Sequence, residues 1–250
     1  MALQSAAEAR EALRTAEGLL LDWDGCVAFG DRLESAALEL IETHRDRVAI
    51  VSNNTTHLPE YFSECLASQG IRFPPERVVL AGAEALARAQ RRGAARTMLI
   101  GSPRMKAEAR RLGMNLARDE ADLVVLLRDN RFSYGKLERA VNAIRRGAAL
   151  IVGNPDLTHP GPQGRIVPET GALLAAVEAC LSSRDIAAEV VGKPERALFE
   201  TGCRVLGVAP GEAVMIGDNP ATDMAGALAL GMAGVLVGPH SGLALADLLP

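Results

Sequence analysis

Two aspartates separated by one residue, Asp22 and Asp24, follow an apolar run in the segment LLLDWDGCV. On an extended chain this spacing places both side chains on one side, so both carboxylates could reach a single substrate. One could act as a nucleophile and the other as a general acid and base. On its own, D-x-D-G more often marks a turn rich in Asp and Gly. A calcium loop is excluded, because its last ligand position would be Leu33, where an EF-hand needs Glu.

Polar side chains also end a second apolar run, in VAIVSNNTTH. Ser52, Asn53 and Asn54 stand just before a helix that we expect to begin near Leu58. A hydroxyl, amide groups and free backbone N–H groups at a helix start could bind an anion. Simple helix capping by the same residue types is the alternative.

Two later runs end in charged side chains. Lys193 follows the run in VVGKPERALFE, and the next residue, Pro194, could stand in the first turn of a helix. Asp218 ends the run in AVMIGDNPATDMAGALALG, with Asp223 five residues later. In isolation, Lys193 would be a surface charge and Asp223 a helix N-cap. Asp218, directly after a buried run, is harder to explain by local structure.

These polar endings must be positioned by the short apolar runs, which alternate with longer segments of helical period. Strands that are apolar on both faces indicate a parallel sheet covered by helices. Ligands bind outside the carboxyl ends of such strands, so we expect the four polar endings to converge on one crevice. The predicted strands are 19–24, 48–54, 97–101, 122–127, 149–154, 189–192, 213–218 and 234–238.

The strands between about 97 and 154 end mostly in Gly and Asn, and they lie between the second and third polar endings. We therefore predict a core formed by residues 1–81 and 185–250, interrupted by an inserted domain over 82–184. The expected boundaries are the segments FPPERVVLAG and LSSRDIAAE. The length of 250 residues is enough for a core with an insertion of this size.

Composition excludes several classes of protein. Lys plus Arg is 27 and Asp plus Glu is 31, a net charge of −4, which gives no electrostatic reason to expect nucleic acid or a membrane surface as a partner. No apolar run is long enough to span a membrane. The N-terminus lacks the pattern of a secretory signal or transit peptide, so we expect a cytoplasmic protein. Four scattered cysteines without zinc spacing are expected to be buried reduced thiols: Cys26, Cys65, Cys180 and Cys203.

Taken together, the four endings resemble the motifs of the haloacid dehalogenase-like hydrolase superfamily. Those motifs are D-x-D at the first strand, Ser or Thr at the second, Lys at the third and D-x(3,4)-D at the fourth. All four stand here in that order across nearly the whole chain, and four short motifs rarely co-occur by chance. The resemblance implies an α/β fold with a Rossmann-like parallel-sheet core, and phosphoric monoester hydrolysis.

The insertion is similar to the α/β cap domain of the class IIA phosphatases. This branch includes NagD and the 4-nitrophenyl-, pyridoxal, phosphoglycolate and ribonucleotide monophosphatases. The resemblance implies a cap that closes over the core, a loop of the N-P-D type that helps select the leaving group, and a homodimer as one expectation. The matching loop makes Asn154, Asp156 and His159 candidate substrate-binding residues. For His159, a surface histidine in a loop rich in Pro and Gly is an equally good explanation.

A count of charges indicates a cation in such a site. A phosphate monoester carries about two negative charges, and Asp22 with Asp218 would add about two more. Like charges about 4 Å apart cost roughly 4 kcal/mol at an effective dielectric constant near 20. One Mg²⁺ and Lys193 supply three positive charges, and N–H donors around Ser52 and Asn53 offset much of the rest. Because all the expected ligands are oxygens, we expect Mg²⁺ as the cofactor.

The resemblance also implies catalytic roles. Asp22 attacks phosphorus in line and forms an aspartyl-phosphate, while Asp24 protonates the leaving oxygen and then activates the hydrolytic water. Asp22 and Asp218 bind the metal through their side chains, and Asp24 adds its backbone carbonyl. Asp223 belongs to the same metal site, where it orients a metal-bound water or Lys193.

Substrate-binding roles follow from the same resemblance. Ser52 and Asn53 hold the phosphoryl oxygens, and Asn54 either touches the substrate or caps the helix. The chain has Thr55-Thr56-His57 where pyridoxal and phosphoglycolate phosphatases commonly carry a basic residue. Aromatic residues are only 3% of the chain, which leaves few rings to stack on a base. We therefore prefer a sugar or glycerol phosphate over pyridoxal phosphate, phosphoglycolate or a nucleotide.

Alternative functions use the same residue types. A phospho-accepting signalling module of the receiver type also gathers Asp, Ser or Thr and Lys around Mg²⁺. Asp24 and the large insertion distinguish the chain from such a module. A catalytically inactive binding protein is disfavoured because no motif position is lost. A dehalogenase would not need the metal pair of Asp22 and Asp218.

Overall fold

The computed structural model of the chain describes residues 2–3, 5–30, 32–160, 165–181 and 187–249. Its strands in chain order are β1 (Ala2–Leu3), β2 (Gly18–Leu21), β3 (Ala28–Phe29), β4 (Arg32–Leu33), β5 (Val48–Ser52), β6 (Val78–Leu80), β7 (Thr97–Ile100), β8 (Leu123–Leu126), β9 (Ala149–Val152), β10 (Thr158–Pro160), β11 (Ile166–Pro168), β12 (Ala188–Val190), β13 (Ala213–Gly217) and β14 (Ala233–Leu236). Its α-helices are α1 (Ala6–Thr15), α2 (Ser35–Thr43), α3 (Pro59–Ala67), α4 (Ala81–Arg92), α5 (Pro103–Arg111), α6 (Tyr134–Arg145), α7 (Thr170–Ala179), α8 (Arg196–Leu206) and α9 (Ala225–Ala229).

The chain divides into two compact units. The first comprises residues 1–52, 59–79 and 193–250, and the second comprises 53–58 and 80–192. The predicted insertion over 82–184 has its boundaries at 81/82 and 184/185, and this assignment of domains stays a prediction. The chain returns to the first unit at residue 193, and the expected boundary at 184/185 lies outside the described residues.

The first unit contains a six-stranded sheet in the order β1-β14-β13-β2-β5-β6. The pairs β1/β14, β14/β13, β13/β2 and β2/β5 are parallel, with Leu21 level with Ile216 on one side and Ile50 on the other. Every residue of β2, β5 and β13 is buried. Their apolar character on both faces is therefore explained by a sheet covered on both sides.

The second unit contains a four-stranded parallel sheet in the order β12-β9-β8-β7 and an antiparallel hairpin of β10 and β11. Side chains of β7, β8 and β9 form a buried core with α6 and α7. The expected location of β12 was wrong. The apolar run around 189–192 pairs with β9, Val190 lying level with Val152, and so belongs to this sheet. An apolar run reveals a buried strand but not which sheet it joins.

Smaller expectations are also corrected. Helix α8 begins at Arg196, so Pro194 precedes its first turn. Cys26 and Cys203 are buried, whereas Cys65 is half-buried and Cys180 exposed; all four are free thiols. Among the described residues, no helix combines the length and apolar character needed to cross a lipid bilayer.

Candidate active site

Three neighbouring strands of the first unit carry polar side chains at their carboxyl ends. Asp218 follows β13, Asp22 follows the central β2, and Ser52 is the last residue of β5. Because these strands are parallel, all three residues lie at the same edge of the sheet. This edge is where ligands bind in open parallel sheets. The convergence expected from the strand endings is confirmed for these residues.

Lys193 lies within the same group although its preceding strand belongs to the other sheet. Its Nζ donates hydrogen bonds of 2.6 Å to Asp22 Oδ1 and to Asp223 Oδ1. Lys193 is only 2% exposed and Asp223 is fully buried, so this is an interior ion pair and not a surface charge. Burial disfavours the ammonium, but the two carboxylates outweigh burial and raise the pKa of Lys193 above its usual range.

The carboxylates of Asp22, Asp218 and Asp223 form one cluster, in which one oxygen from each lies within 4.8 Å of the others. Burial and then the charge of Asp223 raise the pKa of Asp22 well above its usual range. The same two causes raise the pKa of Asp218 to about 6. Three carboxylates and one ammonium leave excess negative charge, which a divalent cation with a preference for oxygen ligands would neutralise. The residues present therefore fit such a cation.

Two glycines make room for these carboxylates. A Cβ on Gly217 would lie 2.2 Å from Asp223 Oδ2, and one on Gly25 would lie 2.2 Å from Asp218 Oδ2. Gly25 also has φ +83°, a conformation that other residues rarely adopt. A side chain at either position would collide with a carboxylate, so only glycine allows the backbone to lie this close to the cluster.

Asp24 differs from Asp22 in its surroundings. Strand β2 ends at Leu21, and the chain then turns, with Ala28 N donating to Trp23 O at 2.8 Å. The two aspartates therefore do not lie on an extended strand as the spacing had suggested. Asp22 is buried and Asp24 is exposed, yet the Asp24 charge still contributes to the raised pKa of Asp218. Asp24 is thus accessible to solvent at the margin of the carboxylate cluster.

Asp223 lies in a π-helical turn, Pro220–Met224, and not in a regular helix start. Its Oδ1 accepts the bond from Lys193, and its Oδ2 accepts from Asn219 N at 3.1 Å. The Asn219 side chain caps the turn by accepting from Ala221 N and Thr222 N. These contacts hold the Asp223 carboxylate between Lys193 Nζ and Asn219 N.

The remaining sequence-predicted residues belong to the second unit, where several of them are bonded together. Asn53 Nδ2 donates to Asp156 Oδ2 at 2.9 Å. Asn154 is 1% exposed; its Nδ2 donates to Asn53 O, and its Oδ1 accepts from Asp156 N. Asn54 Oδ1 accepts from the backbone N–H groups of Thr56 and His57, before α3 begins at Pro59. The side chains of Asn154 and Asn54 therefore stabilise the backbone conformation of the loops in which they lie.

His159 contacts a residue that sequence reasoning missed. Its Nδ1 lies 2.7 Å from Glu169 Oε1, and Arg128 Nη1 lies 3.4 Å from the same oxygen. Glu169 caps α7 by accepting from Thr170 N, and burial raises its pKa to about 7 despite Arg128. Glutamate is not among the residue types that usually cap helices, so the sequence carried no capping signal for Glu169. Nothing local in the sequence indicated its contacts with Arg128 and His159, which are distant along the chain.

The two family models that match the chain both describe haloacid dehalogenase-like hydrolases. A family model described as haloacid dehalogenase-like hydrolase matches residues 19–115, and a second HAD-hydrolase-like model matches residues 190–245. The first match contains the D-x-D pair and the Ser-Asn-Asn segment. The second contains Lys193, Asp218 and Asp223.

Individual relatives cover most of the chain. The 5'-nucleotidase YutF of Bacillus subtilis is 31% identical over 92% of this chain and 90% of its own length. An acid sugar phosphatase of Staphylococcus epidermidis is 30% identical over 86% of this chain and 84% of its own length. Among solved structures, the glycerol phosphate phosphatase Rv1692 from Mycobacterium tuberculosis in complex with calcium matches with a TM-score of 0.81, at 25% identity, over 95% of this chain and 76% of that one.

Proposed function

The chain belongs to the haloacid dehalogenase-like hydrolases, as a class IIA phosphatase that hydrolyses phosphomonoesters, and we propose that it does so with Mg²⁺ and through an aspartyl-phosphate on Asp22. The observation that carries this proposal is the buried group in which Lys193 bonds to both Asp22 and Asp223, while Asp218 completes the carboxylate cluster. We further assign catalysis to the first unit and substrate selection to the second.

In the first step, an Asp22 carboxylate oxygen attacks phosphorus and the bond between phosphorus and the leaving oxygen breaks. Asp24 donates a proton to that oxygen, so the leaving group departs as an alcohol. Lys193 fixes the direction of the Asp22 carboxylate through its 2.6 Å bond and offsets negative charge that develops on the phosphoryl group.

In the second step, a water molecule attacks the phosphorus of the aspartyl-phosphate. Asp24, now a carboxylate, accepts a proton from that water, and the bond between Asp22 and phosphorus breaks to release inorganic phosphate. The exposure of Asp24 supports this role, because the residue must meet both a leaving group and water. Splitting hydrolysis into two displacements lowers the barrier of each.

Asp22 and Asp218 would hold Mg²⁺ through their carboxylates, with the backbone carbonyl of Asp24 as a further oxygen ligand. Bound there, the ion would neutralise the carboxylates and the incoming phosphate and would stabilise charge on the phosphoryl oxygens. Asp223 belongs to the same group but acts on Lys193. The glycerol phosphate phosphatase Rv1692 has been solved with calcium and with magnesium, which supports divalent metal use.

Ser52 and Asn53 would hold the phosphoryl oxygens, and Asp156 and His159 would contact the leaving group. We propose a small sugar or glycerol phosphate as the substrate. The names of an acid sugar phosphatase and a glycerol phosphate phosphatase among the similar proteins support this class. A 5'-nucleotidase is also among the similar proteins, so a nucleotide is the leading alternative substrate. Pyridoxal phosphate and phosphoglycolate are further alternative substrates.

We also propose a cytoplasmic location and a homodimer. Four free cysteines support a reducing compartment. Light scattering coupled to gel filtration measures the oligomeric state, and a mass of one chain would contradict the dimer.

The test of function is phosphate release from 4-nitrophenyl phosphate and from a panel of sugar, glycerol and nucleoside phosphates. Wild type with Mg²⁺ should release phosphate, whereas wild type with chelator and Asp22→Asn should not. Full activity in chelator would contradict metal dependence. A receiver-type signalling module would take up one phosphate per chain without turnover, which distinguishes it from an enzyme.

A further inference from the structure

The second unit contains a cavity of about 470 Å³ whose polar lining is strongly basic. Arg104, Arg128, Arg131 and His57 line it together with the hydroxyl residues Thr56 and Ser102. No carboxylate belongs to this lining in the part of the chain that the structure describes. The volume lies in the range of small-molecule sites. Arg128 also pairs with Glu169 Oε1 at 3.4 Å, and the three guanidiniums together attract an anion.

Arg104 stands where a cation is locally unfavourable. It is in the first turn of α5, after the N-cap Ser102, whose Oγ accepts from Met105 N, and that turn contains no acidic residue. A cation there is disfavoured by the helix dipole. The helix N-terminus and the guanidinium both favour a negatively charged ligand. Because the charge of Arg104 is unfavourable at the start of α5, its presence there indicates a role other than folding.

Arg128 and Arg131 lie on a loop that buried polar side chains hold in place. Asp129 is 6% exposed; one of its oxygens accepts from Arg131 N at 2.9 Å, and the other bonds Lys136 Nζ at 2.7 Å. The buried Thr55 hydroxyl accepts from Arg128 N at 3.1 Å. The loop is thus built to present both guanidiniums, which reduces the entropy lost when they bind an oxyanion.

The imidazole of His57 is sensitive to the charges in this cavity. Burial lowers the pKa of its imidazole, and the neighbouring Arg104 and Arg128 lower it further. Its Nδ1 lies 3.0 Å from Thr56 Oγ1. A ligand with negative charge near these arginines would change the environment of the His57 ring, which makes this ring a spectroscopic probe.

We propose that this cavity is an oxyanion-binding site of the second unit, which takes a carboxylate or a phosphate group between Arg104, Arg128 and Arg131. Planar guanidiniums bind such groups through paired hydrogen bonds. Two sources would present the same chemistry. The oxyanion is either a second anionic group of the substrate or a free inorganic anion.

The direct test is proton NMR of the histidine Cε1 resonances, in which His57→Gln identifies the His57 signal among four histidines. Adding 3-phosphoglycerate, or sulfate as a free anion, should shift the His57 signal in a saturable way. The double variant Arg104→Gln/Arg131→Gln should weaken the apparent affinity for either anion at least tenfold, because two charge-assisted contacts are lost. Arg145→Gln, an exposed arginine at the end of α6, should keep the wild-type response. A His57 signal that does not move, or that moves equally in the double variant, would overturn the proposal.

Kinetic measurements then distinguish the two sources of the oxyanion, and only these measurements rest on the proposed function. 3-Phosphoglycerate and glycerol 3-phosphate differ by a carboxylate in place of a hydroxymethyl group. If the substrate supplies the oxyanion, the double variant lowers the kcat/KM ratio of the first to the second about tenfold. If a free anion binds, that ratio stays constant, and the effect of sulfate on 4-nitrophenyl phosphate hydrolysis is lost in the variant. Absence of all phosphate release would contradict the proposed function while leaving the NMR result standing.

Discussion

Lys193 Nζ lies 2.6 Å from Asp22 Oδ1 and at the same distance from Asp223 Oδ1, and the ammonium is almost completely buried. A buried charge is stable only when its partners are present, so each member of this group depends on the others. Lys193 stands 171 residues after Asp22 in the chain. The contact therefore joins the first and the last of the three sequence segments that form the first unit.

Replacing Lys193 by Met would leave Asp22 and Asp223 buried without their shared cation. We expect a loss of activity on the order of a hundredfold or more. In chelator, the free energy of unfolding should fall by about 3–5 kcal/mol, with partial recovery in Mg²⁺. Urea denaturation with and without Mg²⁺ measures these free energies of unfolding. Lys106→Met, at a half-buried lysine of the second unit, is the control; equal unfolding curves for both variants would contradict the account.

Gly217→Ala tests how closely the backbone must approach the carboxylates. The added Cβ would lie 2.2 Å from Asp223 Oδ2, so Asp223 must move away from Lys193. We expect at least a tenfold loss of kcat/KM with 4-nitrophenyl phosphate, equivalent to about 1.4 kcal/mol in the barrier. Gly211→Ala is a matched control in the same unit, because a Cβ there meets nothing within 4 Å. If both variants keep wild-type kinetics, the steric argument fails.

Asn154→Ala tests the loop of the second unit. The change leaves Asn53 O and Asp156 N without their buried partner, which costs about 1–3 kcal/mol of unfolding free energy. Because Asp156 would lose its position, KM for the best substrate should rise more than kcat falls. Asn142→Ala removes a comparable bond to a backbone carbonyl on the exposed face of α6 and serves as the control. A fall in kcat at constant KM would contradict a positioning role.

The sequence was sufficient to predict the buried strands β2, β5, β7, β8, β9, β13 and β14 and the residues at their ends, but the short strands β1, β3, β4, β6, β10 and β11 were not predicted. Fully buried parallel strands leave a continuous apolar signal, and a charged side chain directly after such a run stands out, as Asp22, Asp218 and Lys193 do. The same signal could not assign β12, because an apolar run does not reveal which sheet a strand joins. Pairing with β9 is decided by contacts far apart in the chain.

Local spacing was also insufficient for geometry within the site. The D-x-D spacing suggested two side chains on one face, but β2 ends before Asp22 and the following turn separates a buried carboxylate from an exposed one. Likewise, the partners of His159 and Asn154 depend on how distant segments pack. Residues such as Glu169 and Arg128 therefore had no motif by which they could be identified.

Glu169 gives the chain a pH-dependent stability. Its pKa is raised to about 7, mainly by burial, while Arg128, His159 and Asp156 are the charged or titratable groups around it. A raised carboxyl pKa means that the folded state binds more protons than the unfolded state between about pH 4.5 and 7. The free energy of unfolding must therefore fall as pH rises through this window. Urea titrations at pH 5 and pH 7.5 should show a smaller decrease in Glu169→Gln than in wild type; an equal decrease would exclude this residue as the cause.

Trapping the covalent intermediate tests the central assignment most directly. Asp24→Asn removes the base that activates water, whereas 4-nitrophenolate leaves readily without a proton from Asp24. With Mg²⁺ and 4-nitrophenyl phosphate, this variant should release one equivalent of 4-nitrophenolate in a rapid burst. Mass spectrometry of its peptides should then place the phosphoryl group on Asp22. A phosphoryl group on another residue, or steady turnover at the wild-type rate without any burst, would contradict the account.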